Sequence, residues 1–488
     1  MRGSAGHAIA QGLAEDGGLF MPQEFVRLSM TEICAMRELP YGERAITVLS
    51  RFLTDFTEDE LRECVAKAYS KDKFNGFPVP LRQVKSNVDV LELWHGPTSA
   101  FKDMALQILP LLLTRAVRKT GEQMKLVILV ATSGDTGKAA LAGFADIPGT
   151  EVIVFYPEDG VSNIQKRQMI TQQGKNVHVI AVKGNFDDAQ TGVKALFSDR
   201  ALATELKENN CSFSSANSIN WGRLVPQIVY YFSAYADAVK AGRIRAGDFV
   251  NFSVPTGNFG DILAGFFAKI MGLPVNKFIC ASNSNKVLTD FINTGEYDKR
   301  REFHKTISPS MDILVSSNLE RLLYVETENN AEQVSQWMNQ LNETGVYNVG
   351  KKLQSKILQN FFGTWVDEFE TKETIGNVYR DEKYLMDPHT AVAWRAMEKY
   401  RLLTSDDTYC IVLSTASPFK FSNSVLEAIR PKEDFSNIST FEALNKLSEI
   451  SGLAIPPQMA ELEDLPVLHE AVVEKTELES TVKKILGI

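Results

Sequence analysis

The sequence predicts an α/β fold whose parallel sheets are covered by helices on both faces. Two features carry that expectation. Short, fully apolar, β-branched runs recur along the chain, and longer amphipathic segments separate them. A strand buried on both faces reads as a continuous apolar run, whereas a half-exposed strand alternates. The length of 488 residues provides for two or three domains and a large core.

In chain order, residues 1–75 hold no such run and read as mostly helical. Strands are expected at "KLVILVAT" (125–132), "EVIVFYP" (151–157), "NVHVIAV" (176–182), "DFVNFSV" (248–254), "KFICAS" (277–282) and "YCIVLST" (409–415). Residues 330–400 are polar, aromatic-spiked and helix-patterned, and read as an insertion or cap on the core. There is no internal repeat, low-complexity tract or extended linker.

Composition excludes several classes. A net charge of −9 argues against phosphate-backbone binding, so no nucleic-acid partner is expected. No apolar run approaches the roughly 18 residues of a membrane helix, so no membrane partner is expected either. The N-terminus lacks a charged–apolar–small signal pattern, which points to the cytoplasm. The five cysteines (Cys34, Cys64, Cys211, Cys280, Cys410) are scattered without CxxC spacing, and the six histidines form no HExxH. Reduced thiols and no metal site follow.

Three loops look chemical. In "HGPTSAFKD" the turn at Gly96 and Pro97 leads to Lys102, which stands before the apolar helix "MALQILPLLL". Such a lysine commonly snorkels to solvent. A cation at a helix N-terminus nevertheless opposes the macrodipole, and a lowered amine pKa is what a Schiff-base lysine needs. In "VATSGDTGKAALAGF" a strand enters a loop of Ser133, Gly134, Asp135, Thr136 and Gly137, then a helix whose first N–H groups suit a carboxylate or phosphate. The plain alternative is a capped βα turn with Asp135 or Thr136 as N-cap. In "FSVPTGNFGDILAGFF" the loop Gly257, Asn258, Phe259, Gly260 forms a compact nest for a phosphate, with Asp261 placed awkwardly beside it. Together, an amine and two anion loops at the carboxyl ends of parallel strands suit pyridoxal 5′-phosphate, with its aldehyde on Lys102.

The wording and order of these motifs resemble the threonine synthase family, in the longer class found in fungi and many bacteria. The resemblance covers most of the chain: "GLAEDGGLFMP" (12–22), "HGPTSAFKD", "ATSGDTG", "SANSINWGRLVPQIVYYFSAY" (215–235), "VPTGNFGDILAGFFAKIMGLP" (254–274), "SNLERLLY" (317–324), "MDPHTAVAW" (386–394) and "LSTASPFKF" (413–421). The chain departs from the family at its start, opening "MRGSAGH" where relatives carry more residues before a "TRG"-like stretch. The resemblance implies two open parallel-sheet domains of the tryptophan-synthase-like fold type II. It divides the chain into a helical domain 1–78, a large cofactor-binding domain 79–102 with 245–488, and a small α/β domain 103–244.

The resemblance also implies roles. Lys102 would carry the cofactor and act as general base. Gly257, Asn258, Phe259 and Gly260 would hold the cofactor phosphate. Ser133, Gly134, Thr136 and Gly137 would hold the substrate carboxylate. Asp135, where many fold relatives have Asn, would touch the cofactor 3′-oxygen. Thr415 would meet the pyridine nitrogen with a hydroxyl, leaving that nitrogen largely neutral. Ser218, Asn220 and Arg223 would bind the substrate phosphate, since Arg matches phosphate geometry; Lys138 is a weaker candidate. His95 and His389 lie in matched motifs and are read as core residues. The implied enzyme is a carbon–oxygen lyase that turns O-phospho-L-homoserine and water into L-threonine and phosphate, working as a monomer. The alternative is a related phospholyase that eliminates phosphate from phosphohomoserine or a similar phosphorylated amino alcohol.

Overall fold

The computed structural model describes residues 3–14, 16–120, 124–132, 134–158, 161–184 and 186–488. Among them the strands are β1 (Leu81–Lys85), β2 (Val88–Glu92), β3 (Lys125–Ala131), β4 (Thr150–Pro157), β5 (Val177–Lys183), β6 (Cys211–Ser214), β7 (Val250–Pro255), β8 (Val275–Ser282), β9 (Glu296–Asp298), β10 (Val346–Asn348), β11 (Phe361–Trp365), β12 (Cys410–Ser414) and β13 (Ala471–Glu474). One sheet has the order β1-β2-β12-β7-β8-β11 and the other β13-β5-β4-β3-β6, while β9 and β10 form a small ribbon. Apart from the β1–β2 hairpin, pairing within the two large sheets is parallel. The fold is therefore the expected α/β arrangement of two parallel sheets.

All six apolar runs form strands. Strands β4, β7 and β12 are buried along their whole length, which is why they read so clearly. The strands absent from the sequence reading lack that continuity. Edge strands β1 and β13 are largely open to solvent, and β6 is short. Strand β2 is buried but carries Asp89 and Glu92, whose carboxylates meet Arg243 and His95.

Two expectations need correction. Residues 330–400 are not wholly helical: β11 lies inside them and pairs with β8 at the edge of the first sheet. Residues 245–488 do not all belong with that sheet. Strand β13 pairs with β5 of the second sheet, and Leu478 and Val482 of the following helix pack into that sheet's apolar cluster. A solvent-exposed edge strand gives no sequence signal of which sheet it joins.

The N-terminal region is helical as expected, at Ala5–Gln11, Met30–Ala35, Tyr41–Leu49, Glu58–Ala68 and Lys71–Phe74. Capping boxes at Ser29/Glu32 and Thr57/Glu60 start two of these helices. Helix Trp221–Lys240 is buried along nearly all its length and packs against the helices Tyr41–Leu49, Asp103–Leu106 and Gly260–Ile270. It thereby joins the N-terminal region to the lysine loop and the second glycine loop. No helix among the described residues is long and apolar enough to cross a membrane.

Candidate active site

Lys102 lies in a tightly tied loop. Thr98 donates its N–H and its hydroxyl to the Asp103 carboxylate at 2.7 and 2.8 Å, closing the turn. Ser99, buried, takes the left-handed conformation (φ 56°). It is held there by Gln458, whose Nε2 donates to Ser99 Oγ at 2.6 Å and to the Gly96 carbonyl at 3.1 Å. The loop is zipped to the exit of β12: Phe101 N–H donates to the Thr415 carbonyl at 2.8 Å, and Ala100 bridges Ala416. The Thr415 backbone is thus fixed beside Phe101, the residue before Lys102.

The Lys102 amine is buried, with Ser310 Oγ at 3.4 Å and Asp135 Oδ2 at 3.9 Å. Burial is the main force drawing it down to about 8; Asp135 opposes that shift, and Arg223 and Lys420 add to it. The macrodipole is not the cause it was expected to be, because the helix that follows Lys102 has only four residues.

At the first anion loop, Ser133 lies outside the described residues. Gly134, at φ 140°, precedes helix Asp135–Phe144. Its N–H and that of Gly137 both donate to Thr132 Oγ1, at 3.0 and 2.9 Å. Those two groups were expected to grip a substrate carboxylate, but Thr132 already holds them. A Cβ on Gly137 would lie 2.4 Å from Thr132 Cγ2, so glycine there serves close packing. The N–H groups of Asp135 and Thr136 remain as donors at this helix start, with no acceptor among the described residues. The N-cap is Gly134, neither Asp135 nor Thr136. Asp135 instead pairs with Lys420 Nζ at 2.6 Å and accepts from Gln165 Nε2 at 3.0 Å. Burial works to raise its carboxyl, but the Lys420 and Lys102 ammonium groups overcome that and hold it well below the carboxylate range.

The second loop is built as a nest. Asn318 donates its N–H and its Nδ2 to the Asn258 carbonyl at 3.1 and 3.2 Å, and Ser316 Oγ donates to the Gly257 carbonyl at 2.9 Å. In a trans peptide the next N–H points the opposite way. Pinning these carbonyls therefore turns the N–H groups of Asn258 and Phe259 outward, ahead of the free N–H groups that open helix Gly260–Ile270. Phe259 adopts φ 63° to make the turn. A Cβ on Gly257 would sit 2.6 Å from the Ser310 carbonyl oxygen, which accounts for that glycine. Asp261 faces away from the nest and accepts from Tyr230 OH at 2.6 Å and Tyr231 OH at 2.8 Å.

The third cluster comes apart on inspection. Asn220 caps helix Trp221–Lys240 by accepting from Gly222 N–H, while its amide donates to the Ile9 and Ser215 carbonyls. It is structural, contrary to its expected role on a substrate phosphate. Ser218 borders the second loop, its Cβ 3.5 Å from where a Cβ on Gly260 would stand. Arg223 is 6% exposed and donates to the Ala216 carbonyl, with no carboxylate in salt-bridge range among the described residues. Burial lowers it to about 10. Lys138 turns to Gln172, and burial lowers its amine to about 8.

Several residues escaped the sequence reading. Lys420 lies in the quoted "LSTASPFKF", where a lysine among small and apolar residues was the available signal. Ser310 carries no motif. It is positioned by His389, whose Nε2 accepts the Ser310 N–H at 3.1 Å while Nδ1 meets Asp387 at 2.7 Å. With Nε2 accepting, Nδ1 is the ring nitrogen left to donate to Asp387. Arg321 ties the Phe20, Ser218 and Ile219 carbonyls to Asn318, locking the wall behind the nest. His389 is buried, as expected of a core residue, whereas His95 is only half-buried and pairs with Glu92 Oε2 at 2.8 Å.

These groups fit pyridoxal phosphate. A buried amine drawn toward neutrality suits an aldehyde, outward N–H groups suit a phosphate, and the Thr415 hydroxyl suits a ring nitrogen. Known proteins agree. The sequence matches the families described as threonine synthase N terminus over residues 2–69, pyridoxal-phosphate dependent enzyme over 79–347, and threonine synthase, C-terminal over 390–485. It is 41% identical over 481 residues to threonine synthase-like 1 of Macaca fascicularis, covering 96% of this chain but only 62% of that relative's length. It is also 41% identical over 421 residues to threonine synthase of Pseudomonas aeruginosa, covering 86% of each. The fold superposes on the pyridoxal-phosphate-bound threonine synthase from Brucella melitensis with a TM-score of 0.87 at 34% identity, covering 99% of this chain and 97% of the other. The chain belongs to the threonine synthase family of pyridoxal-phosphate-dependent enzymes of fold type II.

Proposed function

We propose that this chain converts O-phospho-L-homoserine and water into L-threonine and phosphate, with pyridoxal phosphate carried by Lys102. The observation that bears most on the substrate is Arg223, a buried guanidinium with no carboxylate partner among the described residues, close enough to Lys102 to repel its ammonium form. A buried cation left unpaired by its own protein calls for an anion from outside. The nest at Gly257–Gly260 accounts for the cofactor's phosphate, so Arg223 serves the substrate's phosphate, with Ser218 at the border of the two.

When bound, the cofactor supplies an electron sink for charge developing on the amino acid's carbons. The protein supplies the rest. Lys102 Nζ is the base that takes and returns protons at Cα and Cβ. Arg223 holds the phosphate as its bond to Cγ breaks. Water then adds its hydroxyl at Cβ and a proton reaches Cγ, which gives threonine. Asp135 and Thr136 N–H groups would orient the carboxylate, and the Thr415 hydroxyl would meet the ring nitrogen without protonating it.

The same proposal divides the chain into the helical region 1–78, a large domain around the first sheet and a small one around the second, with β13 moved to the small domain. It also has the enzyme acting as a monomer in the cytoplasm, where five free thiols would stay reduced. A second reading is elimination of phosphate without productive hydration, from phosphohomoserine or a similar phosphorylated amino alcohol. Incubation with phosphohomoserine separates the two, since hydration gives threonine and elimination alone gives a 2-oxo acid and ammonia. Arg223→Ala should weaken use of phosphohomoserine about ten- to a hundredfold, the loss of a charged hydrogen bond worth about 1.5–3 kcal/mol, while cofactor absorbance stays intact. Loss of the cofactor, or unchanged kinetics, would make Arg223 structural.

A further inference from the structure

Nothing in the proposed chemistry calls for Lys420. Its side chain is fully buried on the turn Pro418–Phe421 after β12, and it joins two walls of the site. Nζ lies 2.6 Å from Asp135 Oδ1, at the helix start beyond β3, and donates at 3.0 Å to the Thr98 carbonyl in the lysine loop. The other Asp135 oxygen stands 3.9 Å from Lys102 Nζ. One carboxylate is therefore shared unequally between two ammonium groups, and the closer one is not the cofactor lysine.

An amine locked in an ion pair stays protonated and cannot attack an aldehyde. We propose that Lys420 is a positioning residue: by occupying Asp135 it keeps Lys102 out of an ion pair and available to the cofactor aldehyde. This rests on Lys102 as the cofactor-bearing amine. The charged groups facing Lys102 are Asp135, its neighbour Asp103, Asp261, Arg223 and Lys420. Asp103 is committed to Thr98, and Asp261 to Tyr230 and Tyr231. Asp135 is thus the carboxylate placed to capture Lys102. Removing the Lys420 charge takes away a repulsion on the Lys102 ammonium and frees Asp135 toward it. Both changes favour the charged amine.

Lys420→Met keeps the length and removes the charge. In the apo full-length protein, a formaldehyde–cyanoborohydride pulse mapped by mass spectrometry reads the reactivity of Lys102 across pH 6.5–10. The variant's profile should move to higher pH, with Lys102 labelled about tenfold more slowly at pH 7.5. In the holoenzyme, the visible band formed on adding pyridoxal phosphate should need a correspondingly higher pH to appear. Lys420→Arg should restore the parent profile. The double variant Asp135→Asn with Lys420→Met should return within about threefold of the parent, because the competing carboxylate goes with the cation. Should Lys420→Met fail to fold, Lys420→Gln is read the same way. An unshifted profile, a shift to lower pH, or a double variant as displaced as the single one overturns the proposal. Borohydride reduction that places the pyridoxyl group of the parent on another lysine overturns the underlying function instead, so the two failures are distinguishable.

Discussion

Asp135 and Asp261 occupy matching places, each in the first turn of a helix that follows a buried parallel strand and a glycine loop. Their surroundings make them opposites. Asp135 meets two ammonium groups, which hold it ionised against the cost of burial. Asp261 meets two tyrosine hydroxyls and leaves Oδ2 without a hydrogen-bond partner among the described residues, and burial pushes its carboxyl up to about 6 despite those hydrogen bonds. One local pattern thus yields a fixed charge at one loop and a readily neutralised carboxyl at the other. The difference matches their neighbours. A carboxyl that faces away and protonates easily would tolerate the phosphate proposed for its loop, while the charge set next to Lys102 acts on that amine.

The largest expected effect comes from breaking the charged member. Asp135→Asn leaves the Lys420 ammonium buried without its carboxylate, a loss of about 3–5 kcal/mol measured by urea unfolding. The pH dependence has the matching sign. Because the folded-state value of Asp135 is depressed, its stabilisation is present above the ordinary 3.8 and is lost as pH falls below it. A variant as stable as the parent would mean that the pair contributes nothing.

The glycine loops come next. Gly257→Ala drives a methyl group into the Ser310 carbonyl at 2.6 Å, and backbone must move to admit it. A destabilisation of about 1–3 kcal/mol and loss of pyridoxal phosphate on dialysis are expected. Gly260→Ala is the control, since its methyl meets ordinary contacts at 3.5 Å and beyond. It should stay within about 0.5 kcal/mol of the parent. Equal cofactor loss in both variants would show that the nest depends on the loop's flexibility and not on its approach to Ser310.

The smallest effect is expected at Asp261. Its folded-state value is raised, so the folded form binds a proton that the unfolded form has released, and stability falls as pH rises from about 4 to about 6. Asp261→Asn removes that slope and should change stability at pH 7 by no more than about 1 kcal/mol, in either direction. Thermal unfolding between pH 4 and 7 checks it. Asp103, whose carboxyl burial also raises to about 6, leaves its own share of the slope, so a slope undiminished in the variant would assign all of it to Asp103.

What the sequence determined by itself was the local chemistry. Apolar β-branched runs of the right length form buried parallel strands wherever they fall, so six strands and the α/β class were legible from pattern alone. Glycines at positions 134, 257 and 260 marked the loops that end those strands, and "HGPTSAFKD" marked the lysine. The edge strands β1 and β13 stayed silent because solvent on their open sides removes the need for apolar side chains. Tertiary structure decided which of the marked groups are still available. Asn220 reads like a ligand, yet it caps a helix and clamps the Ile9 carbonyl; Gly134 and Gly137 read like anion donors, yet Thr132 takes their N–H groups. Lys420 shows the reverse, since its partners Thr98 and Asp135 are hundreds of residues away in sequence and a fraction of a nanometre away in space. A hydrogen-bonding group has a fixed capacity, and whether a ligand or the protein fills it depends on the distances that folding sets.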